Sequence, residues 1–339
     1  MVPGVDGVYA WGKQPAAMAM SDPILPDVQI KLVKPTDPVL GRVVSNDLCM
    51  NGKSASFVKH TVFDVSGTPL AGNFSAGQSF GVVAPGLDDR GKPHKVRLYS
   101  VACPSWGEDG EGNVISTTPK RLIDEYVPQS GGDDPSRHHL FLGVCSNYLC
   151  DLQVGEQVRL TGPNGKRFLL PADPNAHDYL FLATGTGIAP FRGMLLELLE
   201  NPAGACESKI HLVMGSPYTT DLLYHDLLLR LSGQHQNFHY HTAISREDAS
   251  DGAGRYVDGL LNEGMDTFGP LLDSSRTLIY LCGLDGMRVG LYRTLAAHGL
   301  DAGYITIDPA LGARSPDDWG TADMRRGVKP TGRCLIEVY

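Results

Sequence analysis

Two rhythms of apolar and polar positions divide the chain. From about residue 38 to 171 the apolar runs are short and alternating, with Gly, Pro, Asn and Asp clusters between them. They are FVKHTVF (57–63), SFGVVAP (79–85), VRLYSVA (96–102), LFLGV (140–144) and QVRLTGP (157–163). That spacing predicts an antiparallel β-barrel or sandwich. After LPADPNAHD (170–178) the strands become nearly continuous apolar runs: YLFLA (179–183), KIHLVMG (209–215), FHYHTA (238–243), TLIYLCG (277–283) and the closing CLIEVY. Amphipathic helices are predicted between them, at PFRGMLLELLE (190–200), DLLYHDLLLRL (221–231) and GMRVGLYRTLAAHG (286–299). Strands apolar on both sides need a parallel sheet with helices over both faces. The expected organisation is therefore an N-terminal extension over 1–37, poorly ordered at 1–19, a β-barrel domain over 38–172, and a doubly wound α/β domain over 173–339.

Composition narrows the classes of function. With 29 Lys+Arg against 38 Asp+Glu the net charge is −9, and no basic tract is present, so nucleic acid is not an expected partner. The charge is uneven, at 16 Lys/Arg to 17 Asp/Glu in residues 1–172 and 13 to 21 in the remainder. Seven scattered cysteines suggest a reducing compartment, cytoplasmic or equivalent. Cys145 and Cys150 open a plant-type iron–sulfur spacing, but position 153 is Gln, so no cluster and no metal is expected. No run is long enough for a membrane span. The A-x-A triplet at Ala17–Ala19 lacks a basic start and an apolar core, so no signal peptide is expected, and Met20 reads as an alternative start. Two polar inserts, GEDGEGN (107–113) and SGGDDPS (130–136), read as solvated surface loops.

Three stretches carry candidate chemistry. FLATGTGIAPF (181–191) links a strand to a helix; its glycines allow a tight turn, Pro190 suits a first helical position, and the helix N-terminus suits a pyrophosphate. A plain βα turn would look the same. RLYS (97–100) sets Arg97 and Tyr99 on one face of a strand and Leu98 and Ser100 on the other. A guanidinium can fork onto phosphate and a phenol can stack on a flat ring. GVCSNYLCDL (143–152) leaves a strand for a short helix, with Ser146 or Asn147 as its cap and free amides that suit an anion.

Together with GQSFGVV, KRL, LTGPNGK, LLY, SRE, YLCGLDGM and IEVY, these blocks resemble, in order, the plant-type ferredoxin–NADP+ reductase family over most of 38–339. The resemblance makes the barrel an FAD domain and the α/β domain an NADP domain. It implies a flavoprotein that passes electrons between NADP(H) and a one-electron carrier, ferredoxin or flavodoxin, by hydride transfer between flavin N5 and nicotinamide C4. By the same resemblance Arg97 holds the FAD pyrophosphate, with Ser146 on a phosphate and Gly143, Val144 and Cys145 beside it. Tyr99 stacks on the isoalloxazine next to Leu98, and Ser100 lies by N5. Thr186 and Gly187 meet NADP, with Lys120 near its phosphates and Gly283, Leu284 and Met287 around the nicotinamide end. Ser245 and Arg246 read the 2′-phosphate and Tyr256 stacks on adenine. The family often has a Lys two residues before that tyrosine; Gly254 stands there, and Arg255 is the candidate substitute. Ser100, Cys282, Glu337 and Tyr339 form the implied catalytic group, with the terminal tyrosine covering the flavin face where nicotinamide reacts.

The reductase component of an oxygenase, of the benzoyl-CoA epoxidase type, is the nearest rival; such proteins carry a cysteine-clustered segment, and residues 1–37 hold no cysteine. A redox sensor that binds nucleotide without turnover is the rival from another class. The expected protein is a monomer whose near-neutral half, with Lys31, Lys34, Lys53, Lys59, Lys92 and Lys95, faces an acidic carrier.

Overall fold

The computed structural model describes residues 22–50, 52–126, 136, 138–247 and 254–339. The expectations for 1–19 and for nearly all of the 130–136 insert fall outside that set.

The first half builds β1 (Val39–Leu48), β2 (Lys59–Asp64), β3 (Ser79–Val83), β4 (Arg97–Ser100) and β5 (Val114–Thr117). Next come a separate hairpin of β6 (Ile123–Tyr126) and β7 (His139–Leu142), helix α1 (Val144–Asp151) and β8 (Gln157–Asn164). Six of these strands form one antiparallel sheet in the order β4-β3-β8-β1-β2-β5. It curls shut where the Ala102 N–H donates to Ser116 O at 2.9 Å and Thr117 Oγ1 donates to Ser100 O at 2.8 Å. Val43, Phe63, Phe80, Ile115, Val158 and Leu160 fill the interior. Part of the expected extension lies along this sheet: Lys31 N–H donates to Pro163 O, Val33 N–H to Gly162 O, and Ala172 N–H to Ile24 O.

The second half alternates β9 (Asp178–Thr184), α2 (Ile188–Leu199), β10 (Ile210–Ser216), α3 (His225–Gln234) and β11 (Phe238–Ile244). It continues through α4 (Val257–Glu263), α5 (Met265–Leu272), β12 (Thr277–Gly283) and α6 (Asp285–Ala297). The last stretch holds β13 (Ile305–Ile307), α7 (Pro309–Gly312), α8 (Thr321–Gly327), β14 (Val328–Pro330) and β15 (Cys334–Val338). Five strands run parallel in the order β11-β10-β9-β12-β15. Every residue of β10 and β12 is buried, because alternate side chains enter two separate cores on the sheet's two faces. Chain order reverses between β9 and β12, and the crevice past their C-terminal ends is where such sheets bind ligands.

Four local expectations need correction. Helix α2 starts at Ile188, so Pro190 is its third residue, a position where a missing N–H still costs no hydrogen bond. Helix α1 starts at Val144 with Gly143 as its cap, so Ser146 and Asn147 lie inside the helix. Helix α3 starts at His225, because Tyr224 adopts a left-handed conformation with φ 55°. Strand β15 stops at Val338, and Tyr339 lies just past it, its N–H donating to Gly283 O at 3.1 Å. All seven cysteines are free thiols. Among the described residues no helix is long and apolar enough to cross a membrane, and no three His, Cys, Asp or Glu are grouped to hold a metal.

Candidate active site

At the barrel rim, β4 and the start of α1 enclose a cleft of about 450 Å³ lined by Arg97, Leu98, Tyr99, Leu122, Phe141, Leu142 and Gly143 to Ser146. Arg97 and Tyr99, which alternation sets on one face, both line it, and so does Leu98 between them, expected on the other face. A Cβ on Gly143 would stand 2.6 Å from Ser146 Oγ and 2.8 Å from Leu122 Cβ, so the space in front of the α1 amides depends on glycine. Asn147 fixes this end by accepting from Leu122 N–H at 2.8 Å and donating to Leu122 O at 3.1 Å. The exposed apolar side chains of Leu98 (57 %), Phe141 (47 %) and Leu142 (50 %) flank it. A cation and free helix amides beside an aromatic ring and apolar walls suit a dinucleotide with a flat ring system, so these residues fit FAD. Burial pushes the Tyr99 phenol well above its usual range, keeping it neutral.

A second cleft of about 350 Å³ adjoins the first and shares Leu98, Tyr99, Leu122 and Ser146 with it; it adds Ser100, Thr117, Thr118, Lys120, Thr186 and Tyr339. Tyr339 is 65 % exposed, and its hydroxyl lies 2.8 Å from Thr186 Oγ1. Protein packed around its hydroxyl raises that phenol to about 12 although the ring reaches solvent, against the hydrogen bond with Thr186.

Ser100 and Tyr339 line the second cleft. Cys282 is 3 % exposed behind it, where a Cβ on Gly187 would come within 2.1 Å of Cys282 O; only glycine lets the start of α2 approach β12 so closely. Burial drives the Cys282 thiol far up, so it stays protonated. Glu337 pairs in register with Cys282 across β12 and β15, but lines a neighbouring cleft of about 630 Å³ with Lys166, Arg167 and Phe168. Protein packed around its carboxyl raises it to about 7 although the residue reaches solvent.

A third cleft of about 270 Å³ shares Lys120 and Tyr339 with the second and extends over Gly185, Ser216, Ser245, Arg246, Arg255, Tyr256 and Leu284. The 245–247 turn is fixed by Ser245 N–H to Ser216 O, by Arg246 N–H to Pro217 O, and by Glu247, whose carboxylate accepts from Thr219 Oγ1 and N–H. Those two Thr219 contacts hold the Glu247 carboxyl low. Arg255 lines the cleft while paired with Glu263 at 2.9 Å, and Tyr256 offers a ring 70 % exposed. Leu284 N–H donates to Thr184 Oγ1 at 3.0 Å, fixing the turn after β12. Gly283 closes β12 beneath that turn, whereas Met287 points into the core at 7 % exposure, because the first turn of α6 rotates it inward. Thr117, Thr118, Phe141, Leu142, Ser216 and Pro217 line these clefts and had no motif to mark them. Only HLFL, four exposed residues in a strand with two large aliphatics and a Phe, could have drawn notice.

The family described as "Oxidoreductase NAD-binding domain" matches residues 181–291. A ferredoxin–NADP reductase of Thermosynechococcus vestitus is 36 % identical over 317 residues, covering 92 % of this chain and 76 % of that protein. The leaf-type chloroplastic ferredoxin–NADP reductase of Nicotiana tabacum is 33 % identical over 316 residues, covering 92 % and 80 %. Among solved structures, the ferredoxin–NADP+ reductase of Plasmodium falciparum superposes with a TM-score of 0.65 at 21 % identity, over 91 % of this chain and 99 % of that one, a likeness of fold.

Proposed function

The chain belongs to the ferredoxin–NADP reductase family, and we propose that its three connected clefts seat FAD and NADP(H) on opposite sides of Tyr339. It is an oxidoreductase that uses FAD to move electrons between NADP(H) and ferredoxin. When bound, the flavin supplies the exchange between hydride chemistry and single electrons. The protein's own residues bind, orient and gate. Arg97 and the α1 amides beside Gly143–Ser146 hold a pyrophosphate, and Tyr99 lies along the ring. Ser100 is presented to the second cleft by Thr117, which fixes its carbonyl. Ser245 and Arg246 take the 2′-phosphate with Arg255 beside them, Tyr256 takes the adenine, and Lys120 serves the phosphates between. Tyr339 must release Thr186 before nicotinamide can enter.

The observation that carries this reading is that Lys120 and Tyr339 line both the second and the third cleft. The carrier reading is ferredoxin, with flavodoxin as an alternative of the same charge, and a monomer as the working unit. Lys31, Lys34, Lys53, Lys92 and Lys95 are exposed on the barrel half, while Lys59 is half-buried and donates to Asn46 O at 2.8 Å. Lys166 and Arg167 add cations in the cleft beside Glu337. An acidic carrier fits that surface. Purified protein is expected to be yellow with flavin bands that NADPH bleaches and ferricyanide restores. Colourless protein that takes up no FAD would reject the proposal.

Glu337 gives a pH prediction. Its carboxyl titrates near 7, so a negative charge appears in the carrier-side cleft as pH rises through neutrality. The rate of ferredoxin reduction is expected to show an inflection near pH 7 that Glu337→Gln removes. Stability follows with a definite sign: the folded carboxyl holds its proton above the ordinary 4.5, so its contribution falls as pH rises from about 4.5 to about 7. Glu337→Gln should therefore gain melting temperature relative to wild type above pH 7. An identical inflection in the variant would remove Glu337 from this role.

A further inference from the structure

Helix α2 begins at the nucleotide turn, yet one turn along it is bound to the barrel by charge. Arg192 donates from Nη1 to Ala102 O at 2.8 Å and grips both oxygens of Glu108, at 2.6 and 3.1 Å. Glu108 belongs to the 107–113 insert, which is therefore not wholly a solvated loop: its side chain is only 21 % exposed and that of Arg192 13 %. The same Glu108 Oε1 accepts from Ser116 Oγ at 2.6 Å and meets His60 Nε2, on β2, at 3.2 Å. His60 Nδ1 is 2.9 Å from the Tyr224 hydroxyl, which is 2.6 Å from Thr118 Oγ1. Arg192 also stacks over the Tyr224 ring at 5.3 Å, and Tyr224 N–H donates to Cys49 O at 3.0 Å.

Protonation states give this network a direction. Burial lowers the His60 pKa despite Glu108, so the ring is neutral. Nε2–H then donates to Glu108 and Nδ1 accepts the Tyr224 proton, which leaves the Tyr224 oxygen to accept from Thr118. Burial alone would raise Glu108, but the His60 hydrogen bond and the Arg192 charge outweigh it and hold the carboxyl at about 2. A second contact joins the same helix to the barrel, Ser105 N–H donating to Glu197 Oε1 at 2.6 Å. A left-handed tyrosine and a buried ion pair are costly ways to pack two surfaces that apolar side chains could join. The network also ends at the site: Thr118 and its neighbour Thr117 line the second cleft, and Thr117 holds the Ser100 carbonyl.

We propose that Glu108 is a positioning residue, whose carboxylate locks Arg192 of α2 and His60 of β2 into one network and so fixes the nucleotide-binding sheet on the barrel at the spacing the reaction requires. The proposal rests on the reductase reading. A misplacement on the order of 1 Å can cost about a hundredfold in rate, whereas neither cofactor's own binding residues are touched. Glu108→Gln keeps the shape and removes the charge. The flavin of the variant is expected to bleach about 10- to 100-fold more slowly with NADPH in single-turnover mixing. NADP+ affinity and FAD content should stay within about twofold of wild type, as uniform binding is untouched. Calorimetry of the FAD-loaded protein should resolve two unfolding transitions where wild type shows one, because the clamp couples the two halves. Tyr224→Phe keeps the ring and breaks the His60–Thr118 bridge; it should slow bleaching in the same direction and decides the matter if Glu108→Gln does not fold. A lower melting temperature with an unchanged bleaching rate in either folded variant overturns the proposal. A wild type that NADPH does not bleach overturns the reductase reading instead.

Discussion

Replacing Tyr339 with Ser is expected to raise kcat/KM for NADH and narrow the preference for NADPH, the largest change in cofactor choice that one substitution should give. The phenol stands where the second and third clefts meet and is tethered to Thr186. On the proposed reading a nicotinamide displaces it, at the same cost for both cofactors. A ring contact is worth about 0.5–1.5 kcal/mol and a neutral hydrogen bond about 0.5–1.5 kcal/mol. Their loss therefore lowers the barrier by about 1–3 kcal/mol, or ~5- to 150-fold. The relief is the same for both, but NADPH, already captured through its 2′-phosphate, lies nearer the ceiling set by encounter, so NADH should gain more in kcat/KM. NADP+ should leave more slowly, with a stronger charge-transfer band on its addition. A cofactor ratio and spectrum equal to wild type would mean that Tyr339 merely ends the chain.

Arg246→Ala should narrow the same ratio from the other side, by weakening NADPH and not by helping NADH. Its backbone is fixed by Pro217 O, and its side chain lines the third cleft beside Ser245 and Arg255. A charge-assisted contact to the 2′-phosphate is worth about 1.5–3 kcal/mol, so kcat/KM for NADPH should fall ~10- to 150-fold. NADH, which lacks that phosphate, should change by less than about twofold. Arg255 lines the same cleft and is already held by Glu263, so it should compensate only in part. Equal losses with both cofactors would show that Arg246 does not read the phosphate.

Much of this geometry was legible in the chain because local rules and tertiary context agree there. The apolar runs of β9, β10 and β12 carry no polar face, so they had to lie inside a parallel sheet. RLYS marked Arg97 and Tyr99 as a pair because alternate residues of a strand share a face, and both line the first cleft, with Leu98 beside them. What escaped notice depended on contacts distant in sequence. No pattern in GEDGEGN reveals that Glu108 meets Arg192, 84 residues away. The left turn at Tyr224, which delays α3 to His225, is imposed by surroundings and contradicts an uninterrupted helical pattern. Glu337 was expected near Ser100; that it pairs in register with Cys282 and lines the cleft of Lys166 and Arg167 follows from the sheet order, which no local motif carries. The small elements between Ile305 and Pro330 were missed since they are only 3 to 7 residues long, too short for a period to show.

The central claim is that this chain moves electrons between NADP(H) and a separate one-electron carrier through bound FAD. Its most direct test is anaerobic mixing of the FAD-loaded protein with NADPH, followed by ferredoxin, with both absorbances recorded. The flavin bands should bleach on NADPH and recover as ferredoxin is reduced, with both electrons of each NADPH recovered in the carrier. Flavin that bleaches but passes nothing to ferredoxin or flavodoxin, or that NADPH does not bleach at all, would contradict it.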